Sequence, residues 1–330
     1  MAPKADTSSA VAPSSASGHE GGNVRRRRRR RIVVLGAVLL VVVIGLVACT
    51  AIVMTRLSRV DIRATDTSAG VTYLVIGSDS RERTPSGLGN FGDKQKFAGA
   101  RADVILLVHR SPNGETHTVS VPRDIIVQRD DLSPTRLALT LLDGPQQTVN
   151  ALCRTLKIGV DHVVVIDGAG VTDTVNALGG VTVTLEHPVR DAKAFLDLPA
   201  GELRLDGTQA LALVRARHPE QKIGGSWQKA DEATGAAWRS AWSATVFTAL
   251  QEQFGSADPL TQGKVAWTLS ENVAVDEATG PGELVELARS VSSPATLPVQ
   301  HLGGLAVSAD SSTREAIRAA GLDTGCRLPG

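Results

Sequence analysis

Residues 163–185 read VVVIDGAGVTDTVNALGGVTVTL. Four consecutive β-branched residues, Val163 to Ile166, suit a strand. Residues 168–178 then suit a helix, and Gly179 with Gly180 stops it, because glycine alone enters the left-handed region at no steric cost. A second strand follows at 181–185. Strand, helix and strand in so short a span is the unit from which alternating α/β domains are built.

Working outward from this unit, residues 71–76, 104–108 and 116–121 are also rich in β-branched residues and bounded by Gly, Pro, Asn or Asp. Residues 145–156 and 206–215 read as helices, as does a longer stretch from about 235 to 254. On the last, Trp238, Trp242, Val246 and Leu250 recur every fourth residue and describe a core-facing stripe. The expected fold class is α/β, an α/β/α sandwich with helices on both faces of a central mixed β-sheet.

The chain has 330 residues, 42% of them apolar, enough for one or two well-filled domains. Its net charge of +1 hides an uneven distribution. Residues 25–31 are seven consecutive arginines, and residues 32–54 carry no charge at all. As a helix those 23 residues would extend roughly 35 Å, enough to cross a hydrocarbon core of about 30 Å. A cleaved signal peptide has a shorter apolar core, and although LVAC at 46–49 resembles a lipoprotein processing site, apolar residues continue through Met54.

The reading is a single transmembrane helix at 32–54 preceding the folded domain, with the arginines as its cytoplasmic flank under the positive-inside rule. Abutting a span, the arginines are not read as a nucleic-acid patch, and no nucleic-acid partner is expected. The expected organisation is a disordered basic cytoplasmic tail at 1–31, the span at 32–54 and a linker at 55–70. An extracytoplasmic domain at 71–291 and a C-terminal extension at 292–330 packed on it complete the chain. Cys49 falls in the span. Cys153 and Cys326 remain outside, where oxidising conditions suit one disulfide if the fold brings them together.

Four pairs of charged residues stand at the ends of apolar elements: Asp79 with Arg81, Arg101 with Asp103, Arg123 with Asp124, and Arg215 with Arg217. In open α/β sheets, ligands bind beyond strand ends where loops converge. Gathered there, these guanidinium groups would repel one another unless a multiply charged anion lay between them. Carboxylates in the same place would repel that anion unless a hard cation bridged them, and magnesium joins one or two carboxylates to phosphate oxygens in this way. The pattern favours a pyrophosphate with Mg2+. Each pair taken alone is equally a salt bridge capping the sheet.

The motifs VIGSDSR, ARADVILLV, VSVPRDIIV, the 163–185 segment and AGELRLDGTQALALVRARH, in this order and spacing, resemble the LytR-CpsA-Psr family. The likeness covers roughly residues 71–218 and continues more weakly to 291. It implies a membrane-anchored phosphotransferase. Such enzymes move a glycopolymer from a polyprenyl pyrophosphate carrier onto peptidoglycan. Carried over residue by residue, it implies that Asp79 and Asp103 hold magnesium and that Arg81, Arg101, Arg123, Arg215 and Arg217 grip the pyrophosphate. Arg101, Asp103, Arg123 and Asp124 would form the catalytic group, Asp124 chiefly by orienting Arg123.

Two departures stand out. TRLALTLLDG at 135–144 places Arg136 where the family tends to have a lysine and lacks its asparagine, while DEATGAAWRSAW at 231–242 keeps only Arg239 of the usual arginines. These departures leave open a pyrophosphate-lipid-binding protein without transfer activity, and a membrane-bound transcriptional attenuator is the third reading. The histidines show no metal-ligand spacing, so no zinc site is expected. VIGSDS lacks the second glycine of a nucleophile elbow, which argues against a serine hydrolase.

Overall fold

The computed structural model describes residues 45, 47–65, 70–80, 99–304, 306–323 and 325–328. Contacts divide the chain into Met1–Ile52 and Val53–Gly330, and the description below concerns the second unit. Of the expected span at 32–54, residues 45 and 47–54 are described and are helical; the rest lies outside the described residues. Among those described, no helix is long and apolar enough to cross a membrane.

Seven strands build the central sheet: β1 (Ser58–Val60), β2 (Val71–Ser78), β3 (Ala102–Arg110), β4 (Thr116–Ser120), β5 (His162–Asp167), β6 (Val273–Asp276) and β7 (Ala295–Thr296). Their order is β1-β6-β5-β2-β3-β4-β7. The sheet is mixed. β2 runs antiparallel to β3 and parallel to β5, while β6 runs antiparallel to β5.

Because side chains alternate across a strand, each strand feeds two cores. Leu74, Ile76, Ile105, Leu107 and Val163 face one way, packing with Val149 of α1 (Pro145–Ala151) and, near the C-terminus, with Ile317. Tyr73, Val108, Val164 and Val275 face the other way, with Leu269, Leu284 and Leu287. Each fully buried Leu, Ile or Val contributes about 1.5–3 kcal/mol, so the two-faced pattern holds helices to both sides of the sheet.

A third core lies beside the sheet. α2 (Gly168–Ala177), α3 (Gly207–Arg215) and α4 (Glu232–Ser256) enclose Val175, Leu213, Trp242 and Val246. The tryptophan stripe is therefore core-facing. Gly179 and Gly180, at φ 78° and 101°, stop the helix that precedes them. Residues 181–185 do not join the central sheet; they pair antiparallel with Gly201–Leu205. Their Val-Thr alternation buries one face only, whereas the apolar run at 163–166 is covered on both sides.

Two further segments differ from expectation. Of the expected linker at 55–70, residues 55–65 are built into the domain: Leu57 is buried, β1 pairs with β6, and the Thr65 amide donates to the Val160 carbonyl at 3.0 Å. The C-terminal stretch is built into the domain, since β7 pairs with β4, Val307 bridges Ile125, and α7 (Ser311–Ala319) supplies Ile317 to the core. Cys153 and Cys326 are joined by a disulfide with Cα atoms 5.7 Å apart. α5 (Pro259–Asn272) and α6 (Pro281–Ser290) flank β6 in sequence.

Candidate active site

Of the charged residues expected to form a site, Asp79, Arg101, Asp103, Arg123, Asp124 and Arg217 lie at the end of the sheet where β2 finishes and β3 starts. β2 leaves the core at Ser78, with a register shift after Gly77. Asp79 and Arg101 close the gap between the strands: the Asp79 amide donates to the Arg101 carbonyl at 2.9 Å, and the Arg101 amide donates to Asp79 Oδ1 at 2.7 Å. Asp79 is thereby a loop clamp as well as a carboxylate at the sheet end. Arg81 lies outside the described residues.

Two residues into β3, Asp103 forms an ion pair with Arg123 and a second, at 3.5 Å, with Arg217. Arg123 follows Val121 and Pro122 in a turn held by the Ile125 amide on the Pro122 carbonyl and the Ala138 amide on the Arg123 carbonyl. Its Nε lies 3.4 Å from Asp124 Oδ2, and Asp124 Oδ1 accepts from Arg136 at 3.2 Å. Asp124 is thus held between two guanidinium groups, the geometry of an orienting carboxylate. Arg136 joins the cluster as a residue the family likeness alone does not assign; the lysine-to-arginine departure at that position was the available signal.

The helices set the remaining arginines. Asp206 caps α3 by accepting from the Gln209 amide at 2.8 Å, and Gln209 Oε1 accepts from the Asp206 amide in return. Gly207 packs against α2 so tightly that a Cβ there would sit 2.1 Å from the Thr172 carbonyl oxygen. That contact fixes where α3 ends and where Arg215 and Arg217 emerge. Arg215 is half-buried as the last residue of α3, whereas Arg217 is exposed. Arg239, on α4, donates to the Ala216 carbonyl at 3.5 Å.

Burial holds the Arg239 guanidinium below its usual range, helped by repulsion from Arg123 and Arg217 and opposed by Asp103 and Asp124. Those five residues therefore share one electrostatic environment. Among the described residues, Arg123, Arg136, Arg217 and Arg239 face Asp103 and Asp124, four guanidinium groups against two carboxylates. A cluster built only to stabilise the fold would balance its charges; this one is left cationic, which favours an anionic ligand.

The residues expected to hold magnesium can be tested against this geometry. Among the described residues, no group of three or more His, Cys, Asp or Glu side chains could hold a metal by itself. Asp79 and Asp103 each use Oδ1 for their contacts, and within the same residues nothing donates to Oδ2 of either. One or two free carboxylate oxygens completed by phosphate oxygens and water is how magnesium is commonly bound. The two aspartates fit that role together with a phosphorylated ligand, and not without one.

The fold is a mixed α/β domain whose arginine-rich sheet end lies where open α/β sheets bind their ligands. The chain belongs to the LytR_cpsA_psr family, whose model matches residues 51–303. It is 35% identical to a LytR-Csp2A-Psr enzyme from Actinomyces oris, whose structure superposes with a TM-score of 0.69 over 82% of this chain and 98% of that one. It is 31% identical, over 53% of its length, to the probable cell wall biosynthesis protein LcpB of Corynebacterium glutamicum. It is 27% identical, over 52% of its length, to TagV of Bacillus subtilis, a polyisoprenyl-teichoic acid–peptidoglycan teichoic acid transferase. Each alignment spans 44% of the relative's own length.

Proposed function

We propose that this chain is a membrane-anchored phosphotransferase that moves a glycopolymer from a polyprenyl pyrophosphate carrier onto peptidoglycan. The observation that carries the reading is the cationic excess around Asp103, where Arg123, Arg217 and Arg239 converge on one sheet end. TagV, as a polyisoprenyl-teichoic acid–peptidoglycan teichoic acid transferase, supports a lipid-linked donor and peptidoglycan as acceptor.

In this reaction an acceptor hydroxyl oxygen bonds to the phosphorus on the polymer side. The bond from that phosphorus to the bridging oxygen breaks, polyprenyl phosphate departs, and the hydroxyl proton is released. Phosphoryl transfer needs positioning and charge stabilisation more than covalent help. Arg123 and Arg217 grip phosphate oxygens through planar forks, and Arg239, desolvated by burial, supplies charge where little water competes. Asp124 directs Arg123, and Asp79 holds Arg101 in place through its backbone. When bound by Asp79 and Asp103, Mg2+ would neutralise charge on the pyrophosphate oxygens.

Sheet register supports an approach from a membrane. Ser58 of β1 pairs with Ala274, Ala274 with Val165, and Val165 with Ile76, so the chain enters the domain only three residues short of the level of Asp79. With the uncharged run at 32–54 as the anchor, the N-terminus lies in the cytoplasm and the domain outside it.

The test is turnover of a polyprenyl-pyrophosphate-linked glycan by the full chain with peptidoglycan as acceptor. Transfer that requires Mg2+ and disappears in Asp103→Ala supports the enzyme. Binding of the carrier without transfer under all acceptor conditions would make the chain a carrier-binding protein instead.

A further inference from the structure

The outward face of α5 presents a feature that the candidate active site does not use. Leu260, Lys264, Trp267 and Glu271 are all exposed, and their spacing of four, three and four residues sets them on one stripe. Leu260 is 84% exposed and Trp267 42%, the opposite side of the helix being packed through Val265, Leu269 and Ser270. A single exposed apolar residue is ordinary in a soluble domain. Here two large ones share a stripe with a lysine.

Position gives this stripe its meaning. The uncharged run ends at Met54, and the residues that follow it are fastened to α5. Met54 and Leu57 pack in the core that contains Leu269 and Leu284. The Arg56 guanidinium lies 4.0 Å from the centre of the Trp267 ring, donates to Ser270 Oγ at 3.3 Å and pairs with Glu271. Glu271 is neutralised by that pair, so the stripe's remaining charge, Lys264, is positive.

We infer that this face of α5 rests on the lipid surface, with Leu260 and Trp267 in the headgroup region and Lys264 facing acidic lipids. Tryptophan is enriched at that depth because its ring is apolar and its N–H polar. Lysine reaches headgroup phosphates while its stem stays in the apolar layer. A helix with an exposed apolar edge and a lysine on it lies along an interface rather than through it. The inference rests on the anchored reading proposed above and adds which surface of the domain meets the bilayer.

The experiment uses the full chain carrying Cys49→Ser, reconstituted in phosphatidylcholine vesicles containing a minority of phosphatidylglycerol. Nitroxide labels are placed singly at Leu260→Cys, at Leu302→Cys as an exposed site elsewhere on the domain, and at Val42→Cys within the uncharged run. Accessibility to oxygen and to a water-soluble nickel complex is read for each. The inference predicts nickel accessibility several-fold lower at 260 than at 302, with oxygen accessibility raised at 260. A lipid-embedded label at 42 together with equal, water-like values at 260 and 302 overturns the inference and leaves the anchor standing. A water-exposed label at 42 overturns the anchor, and the inference with it.

Discussion

The central sheet carries two charged clusters, and they are built on opposite plans. At one end Asp103, Asp124, Arg123, Arg136, Arg217 and Arg239 leave a surplus of positive charge. Further along the strands, Asp276 is almost wholly enclosed and satisfied on every side. It accepts from the Val163 amide at 2.8 Å, the Ala278 amide at 2.9 Å and the Thr279 hydroxyl at 2.5 Å, with His162 Nδ1 3.4 Å away. Arg59 donates to the Asp276 and Thr279 carbonyls at 2.9 and 2.8 Å, and the His162 ring stacks on Tyr73. A buried carboxylate with a full complement of donors holds β1, β5 and β6 together. A cluster with more arginines than acids stores repulsion that a ligand can relieve. Charge at a strand end is thus structural or functional according to whether its partners are complete.

That contrast can be broken by substitution. Asp103→Ala removes a carboxylate from the unbalanced cluster, and transfer should fall by about a hundred-fold or more, the usual loss when a charge-stabilising group leaves a reaction site. Its melting temperature should move by no more than a few degrees, read by calorimetry on the same sample. Several kcal/mol of lost stability would make the cluster a structural cap instead.

Asp276→Ala should do the reverse. It leaves the Val163 and Ala278 amides without their acceptor in a buried place, at a cost of about 3 kcal/mol in denaturant unfolding, while transfer per folded molecule is preserved. Equal loss of activity would tie the second cluster to the reaction.

The pH dependence of stability sharpens the same distinction. Burial alone would raise Asp276, but the bonds from His162, Thr279 and Val163 outweigh it and bring the pKa down to about 2 from 3.8. A depressed carboxylate contributes stability that is complete above its unfolded value and lost as pH falls, so about 2 kcal/mol should disappear between pH 3.8 and 2. The bond to Asp276 raises His162 from 6.5 against the effect of burial. Its contribution is complete below pH 6.5 and declines as pH rises through the raised value. Unfolding of Asp276→Ala should lose both dependences, and a profile unchanged from the parent would contradict this account.

A smaller effect is expected of Arg217→Lys, which keeps the charge and loses the planar fork. Losing one charge-assisted bond of about 1.5 kcal/mol gives roughly a tenfold slower transfer. Lysine activity equal to that of arginine would mean that Arg217 acts only as a distant charge.

Much of this was legible in the sequence because it depended on local pattern. The β-branched runs at β2, β3 and β5, the glycine stop at 179 and 180, and the Arg/Asp pairs beside apolar runs can all be read without the fold. Three things could not. Residues 181–185 and 163–166 are similar in composition, and only the alternation of threonine with valine separates a half-buried strand from a central one. Asp276 and His162 lie 114 residues apart, each beside another acid, Glu277 and Asp161, and no local pattern pairs them until β6 lies beside β5. Residues 57–65 likewise gave no periodic signal, because a three-residue edge strand is too short to show one.

The central claim, that the arginine-rich end is a pyrophosphate site, is tested most directly by thermal unfolding of the full chain with increasing magnesium pyrophosphate. A ligand bound only by the folded state at a hundred times its dissociation constant adds about 2.7 kcal/mol, so the parent should melt several degrees higher. Asp276→Ala should start lower and rise by the same amount, whereas Arg123→Ala should not rise. A parent that does not shift, or an Arg123→Ala that shifts as the parent does, would contradict the account.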